Sequence, residues 1–170
     1  MSWSRSASYW LSAALLLAGC EAAPSLQVLG ETTRLARAQP SPKKSAIFDG
    51  QRVNLRAARG ETLGVQLRIG DGKRRKVQLE LPEAAARVQP FQVQAIEVTQ
   101  PSTSMYGRST GAGAYPDVLR PVAGVVATSE LVYFDVAVPP AAEPGRYEGR
   151  LQFDSESVPV TLEVSSARID

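Results

Sequence analysis

The chain has 170 residues, with 19 Lys and Arg against 17 Asp and Glu and a formal net charge of +2, a balance that argues against a chain-wide basic field and so against a nucleic-acid partner. His is absent, which removes the Ser-His-Asp triad, the Cys-His pair and HExxH zinc chemistry. The one Cys removes an internal disulfide and a CxxC metal knuckle, so no metal or cofactor is expected and the core must hold by packing.

Residues 1–19 read as an export signal, with Arg5 in a short polar start ahead of the apolar run Tyr9-Trp10-Leu11-Ser12-Ala13-Ala14-Leu15-Leu16-Leu17. That run is about half of the roughly 20 apolar residues a spanning helix needs. Cleavage is therefore expected. The following Leu17-Ala18-Gly19-Cys20 resembles the lipobox of bacterial lipoproteins. The resemblance implies that Cys20 becomes the first residue and carries a diacylglycerol on its sulfur, which holds the protein to a membrane without spanning it. Glu21 follows, where Asp is the familiar inner-membrane retention signal, so the expected location is the bacterial outer membrane. Residues 20–24 would then be a lipidated tether, 25–166 the folded domain and 167–170 a C-terminal tail.

Beyond the tether, period-two alternation dominates, as half-buried strands require. A weak strand is predicted over Leu26 to Leu35 and another through Val53, Leu55 and Ala57. Pro40 and Pro42 with Lys43 and Lys44 read as a loop inside the domain. Leu63, Val65, Leu67 and Ile69 share one face, and Val77, Leu79 and Leu81 form an expected return arm. Residues 62–81 thus read as a hairpin that turns at Gly70-Asp71-Gly72 and carries the basic stretch Lys73, Arg74, Arg75 and Lys76 near its tip. Glu83 to Arg87 reads as one helical turn. Phe91, Val93 and Ala95 lie on one parity and Ile96 and Val98 on the other, predicting a bulge or a crossing between sheets. Further strands run through Val132, Phe134, Val136 and Val138, through Tyr147 to Phe153, and through Val158 to Val164, with Asp154 to Ser157 as the last tight connection. The expectation is an all-β, antiparallel, immunoglobulin-like β-sandwich of about 7–9 strands.

Three stretches resemble one family in its own order. Asn54 to Leu67, containing Leu55-Arg56-Ala57-Ala58-Arg59-Gly60-Glu61, resembles the strand pair that opens the N-terminal β-sandwich of glycoside hydrolase family 123-like proteins. Tyr115-Pro116-Asp117-Val118-Leu119-Arg120-Pro121 is similar to a loop of that domain, with Val118 in place of proline. Pro139 to Leu151, with Pro144-Gly145-Arg146-Tyr147, resembles the segment near its end. The resemblance implies the accessory sandwich alone, because the sugar chemistry of that family resides in a separate barrel that follows it. Each motif also has a structural reason to exist. In Pro144-Gly145-Arg146-Tyr147 the Pro fixes φ, the Gly accepts a positive φ, and Tyr147 packs its ring with its hydroxyl hydrated. Arg59-Gly60-Glu61 reads as a turn with Gly60 at the special backbone position.

The strongest functional candidate is the segment from Gln100 to Pro121, rich in Ser, Thr, Gly and Pro yet carrying Met105, Tyr106 and Tyr115. Long loops of this kind often bind, and Tyr offers flat apolar area with a polar tip. The competing reading is a solvated crossover between sheets. Asp117 is a possible cation ligand, but one carboxylate falls far short of the six to eight oxygens of a calcium site. Lys73, Arg74, Arg75 and Lys76 suit lipid phosphates or acidic polysaccharide, or are simply solvated. The sequence therefore predicts a non-catalytic, lipid-anchored binding or scaffold subunit with envelope or surface protein partners. The alternative is a carbohydrate-binding accessory module that uses Tyr106 and Tyr115 as sugar platforms.

Overall fold

The structure is a computed structural model that describes residues 26–33, 44–70, 74–100, 111–128 and 131–169. Its ten strands are β1 (Leu26–Gly30), β2 (Val53–Arg59), β3 (Thr62–Ile69), β4 (Arg75–Glu80), β5 (Arg87–Val98), β6 (Gly113–Pro121), β7 (Val126–Thr128), β8 (Leu131–Ala137), β9 (Gly145–Phe153) and β10 (Glu156–Arg168). They form two five-stranded sheets, ordered β1-β3-β8-β5-β6 and β2-β10-β9-β4-β7. We call these sheet A and sheet B. The run β1-β3-β8-β5 beside β4-β9-β10 reproduces the ABED and CFG sheets of an immunoglobulin-like sandwich. All pairings are antiparallel except β2 with β10.

Alternation builds the core. Val65, Leu67 and Ile69 of β3 and Val132, Phe134 and Val136 of β8 point inward from sheet A. They meet Val53 and Leu55 of β2, Val77 and Leu79 of β4, Leu151 and Phe153 of β9, and Val160, Leu162 and Val164 of β10. Full burial of one such side chain contributes about 1.5–3 kcal/mol, and the small Ala85 and Ala86 close the end where Pro82 accepts both of their backbone N–H groups at 2.8 and 3.1 Å. The turn expected over Glu83 to Arg87 thus lies at Pro82 to Ala86, because Arg87 already opens β5. The last strand runs to Arg168, past the expected domain edge at 166.

The 62–81 hairpin does not form. β3 pairs with β1 and β8, whereas β4 pairs with β7 and β9 in the opposite sheet. β3 belongs to sheet A and β4 to sheet B. Alternation marks which side of a strand is buried, and two strands facing one core from opposite sheets show the same pattern as two arms of a hairpin. Gly60 does take the special position, at φ 83°, where an added Cβ would collide with the Ile169 carbonyl oxygen, and Glu61 Oε2 accepts the Ala58 N–H at 2.7 Å. Gly145 differs from expectation: it opens β9 without a positive φ. The Tyr147 hydroxyl donates to the Glu143 carbonyl at 2.8 Å. This is the tyrosine corner of such sandwiches, reaching back to the backbone ahead of its own strand. Between β9 and β10 the turn is only Asp154 and Ser155, with Asp154 at φ 54°, and Asp and Asn tolerate that region best among residues with a Cβ.

Candidate functional site

Directly paired residues share a face, so the register reveals what each sheet shows to solvent. On sheet B, Thr161 pairs with Asn54 and Glu148, Glu163 with Arg56 and Arg146, and Arg150 with Glu80. The carboxylates are all matched. Glu148 receives Arg52 Nη1 at 2.8 Å and Arg146 Nε at 2.9 Å, Glu163 receives Arg56 Nε at 3.2 Å, and Glu80 receives Arg150 Nε at 2.6 Å. Under this layer Thr161 is buried, accepting from Arg52 at 3.0 Å and donating to Glu148 Oε2 at 3.2 Å. The Arg146 hydrogen bond, with Arg52 and Thr161 adding to it, holds the Glu148 carboxyl below its ordinary value.

Sheet A is different. One register row reads Leu29, Gln66, Tyr133, Phe91 and Pro121 across β1, β3, β8, β5 and β6, and beyond it on the same face come Leu131, opposite Arg68, and the pair Val93 and Leu119. These side chains point away from the core. The Phe91 and Tyr133 rings meet edge to face at 6.1 Å between centroids, the geometry that aromatic quadrupoles favour. Leu119 remains 43% exposed and Leu29 only 1%. Gln66 Nε2 donates to the carbonyls of Gly30 at 3.0 Å and Thr33 at 2.8 Å, holding the turn after β1 against the sheet. That turn carries Glu31, whose Oε2 accepts the Gly64 N–H at 3.0 Å.

Beside the apolar row stands an unmatched charge. Asp135 lies opposite Gly64 and Gln89. Partial burial first, and then the Glu31 carboxylate, push its carboxyl above the ordinary value. Burial followed by Asp135 and Glu31 raises the Tyr133 hydroxyl as well. No ion pair reaches Glu31 or Asp135 among the described residues. Arg87 of β5 is the cation nearest in register, one pair along opposite Ala137. Gly64 makes the arrangement sterically possible: a Cβ there would meet the Tyr133 hydroxyl and lie 2.6 Å from Glu31 Cβ.

The sequence-derived candidates fall elsewhere. Cys20, Lys73, Met105 and Tyr106 lie outside the described residues. The expected loop 100–121 is a strand over its second half, because β6 pairs with β5 from Gly113 to Pro121, and the connection joins neighbours within sheet A rather than crossing between sheets. Of the two readings of the β5 parity change the bulge is the one found: β6 skips Asp117 between Pro116, opposite Ala95, and Val118, opposite Gln94. Asp117 is exposed there, and among the described residues no three acidic, Cys or His groups gather as a metal would need. Tyr115 donates its hydroxyl to the Gly111 carbonyl at 2.9 Å. Arg74 and Lys76 are exposed, while Arg75 pairs with Asp154 at 3.1 Å. This basic stretch sits at the end where the N-terminal chain enters, since Leu26 lies opposite Ile69. No described helix is long and apolar enough to cross a membrane.

The buried parity of β8, Val132, Phe134 and Val136, carries no sign of the sheet A face. Leu131 and Tyr133 on the other parity, and Phe91 and Val93 likewise on β5, were the available signal: apolar residues at positions an ordinary solvated face gives to polar ones.

No family model and no curated protein matches the sequence. Among solved structures, a family 123 glycoside hydrolase from Clostridium perfringens, studied for glycolipid glycan hydrolysis, is similar at 13% identity and a TM-score of 0.48 over 69% of this chain and 23% of that one. A protein from Corynebacterium diphtheriae thought to be membrane anchored is similar at 12% identity and a TM-score of 0.35, over 89% of this chain and 38% of that one. The chain thus spans less than half of either neighbour.

Proposed function

We propose that the protein is a lipid-anchored, non-catalytic binding subunit of a bacterial outer-membrane or cell-surface assembly, and that the outer face of sheet A is its contact surface. The observation that supports this is the contrast between the faces. A solvated sheet face is expected to be polar, as sheet B is, whereas Phe91, Tyr133, Leu131, Val93 and Leu119 stand together on sheet A. Contiguous apolar surface of this kind marks interaction sites, and aromatic residues are enriched in them. A lipid on Cys20 would hold the end of the sandwich where β1 begins, and the face of sheet A would remain accessible beside it.

The test is extraction of native membranes in mild detergent, followed by pull-down and mass spectrometry, with Cys20→Ala as control. A stoichiometric partner that is lost in the control and in Phe91→Asp is the expected result. An unmodified Cys20 in a chain with its signal intact would overturn the anchor. Retention on polysaccharide without a protein partner would favour the sugar-binding alternative.

A further inference from the structure

Resting on the binding-subunit reading, we infer that the partner is a protein presenting a lysine or arginine ringed by apolar side chains. Its cation would enter beside Asp135 and Glu31, and its apolar ring would lie on Phe91, Tyr133, Leu131 and Leu119.

Charge complementarity identifies this occupant. Asp135 accepts no hydrogen bond and makes no ion pair among the described residues, yet it stands with Glu31 and beside an aromatic and aliphatic surface. Two carboxylates at the margin of an apolar surface disfavour each other's charge, and a cation brought by a partner relieves that repulsion. The ordinary remedy is present in the same molecule, where each carboxylate on the outer face of sheet B has an arginine. The groups around Asp135 are Gly64 and Glu31 toward β1 and β3, Tyr133 on its own strand, and Gln89 and Arg87 on β5. Arg87 lies at the next register position without forming a pair. A Lys or Arg also suits the neighbouring Tyr133 ring, since cations sit favourably over aromatic faces. A neutral glycan or an anionic lipid surface lacks the charge this site calls for.

The experiment places a photo-crosslinking amino acid at position 89, next to Asp135, and at position 152 on sheet B, in the full chain in native membranes. Crosslinked peptides are then sequenced. The expected result is a protein crosslink from position 89 alone, to a segment that contains a Lys or Arg between apolar residues. Its yield should fall roughly tenfold or more in Asp135→Lys, in the range that loss of a close interfacial charge pair gives, and recover when the partner's cation is changed to Glu. Asp135→Asn, which keeps size and removes charge, should lower the yield while leaving the fold intact. A crosslink to a segment without a cation, a yield indifferent to Asp135→Asn, or crosslinks to lipid or glycan would overturn the inference. A partner found by pull-down that crosslinks from position 152 instead would overturn this site and leave the binding-subunit reading standing. The absence of any partner in the pull-down would overturn that reading itself.

Discussion

Sheets A and B share one core and face solvent on opposite sides, yet the two outer faces follow different rules. On sheet B, Arg56 and Arg150 are matched to Glu163 and Glu80 in cross-strand register, and Arg52 and Arg146 both reach Glu148. On sheet A an aromatic pair, aliphatic side chains and two unmatched carboxylates occupy the equivalent positions. Both faces are compatible with folding, because the core behind them is the same. Folding alone accounts for the first face. The second costs stability in the free chain, and the partner proposed above would offset that cost by covering it.

The sharpest way to break this comparison is to place one new charge on each face. Phe91→Asp removes an aromatic residue from the centre of the sheet A row, and aromatic anchors of interfaces cost about 2 kcal/mol or more when lost. Affinity for the co-purified partner, read by biolayer interferometry, should fall more than about tenfold. Gln152→Asp on sheet B should leave it unchanged. Equal losses from the two variants would show that the faces do not differ in function.

Next in size is Gly64→Ala, which tests whether the missing side chain at Gly64 organises the face. The new methyl has to displace Tyr133 or the turn that carries Glu31, and overpacking of this kind costs about 1–3 kcal/mol. Urea denaturation should show that loss. Replacement of Tyr133 by Phe in the same chain should restore part of it, since the hydroxyl is the nearest obstacle.

Asp135→Asn should act in the opposite direction on stability. Its carboxyl is raised in the folded state by burial and by Glu31, so the folded chain holds the proton more tightly than the unfolded one. The stability this supplies is full below the unfolded value, about 3.8, and is lost as pH rises through the folded value. The substitution should therefore raise the urea midpoint most at neutral pH and not at all in strong acid. Glu148, lowered first by Arg146, has the reverse sign: its contribution is present above its unfolded value and disappears as pH falls through the folded one. A midpoint unchanged at neutral pH in Asp135→Asn would remove the claim that this face stores unfavourable charge.

Much of the architecture was legible from alternation, because a half-buried strand has to place apolar residues at every second position. Val132, Phe134 and Val136 are buried as read, and Pro139 follows the end of β8. Sheet membership was not legible. Val65 and Val77 face the same core from opposite sheets, and periodicity carries no information about the strand beside them. Nor was the site, because Glu31, Gly64 and Asp135 lie far apart in sequence and only the pairing of β1, β3 and β8 brings them together. The local traces were apolar residues at solvent parities, Leu131 and Tyr133 on β8 and Phe91 and Val93 on β5.

The smallest expected effect concerns the ion pairs of sheet B. Arg150 and Glu80 approach to 2.6 Å with side chains 58% and 32% exposed, and pairs this open to water contribute about 0.2–1 kcal/mol. A double-mutant cycle with Arg150→Ala and Glu80→Ala should return a coupling in that range that shrinks as salt shortens the screening length. A coupling of several kcal/mol would mean that sheet B is held by its charges and that its polarity is structural. A small, salt-sensitive value fits a face that merely stays hydrated, which would leave sheet A as the face whose composition needs a partner to explain it.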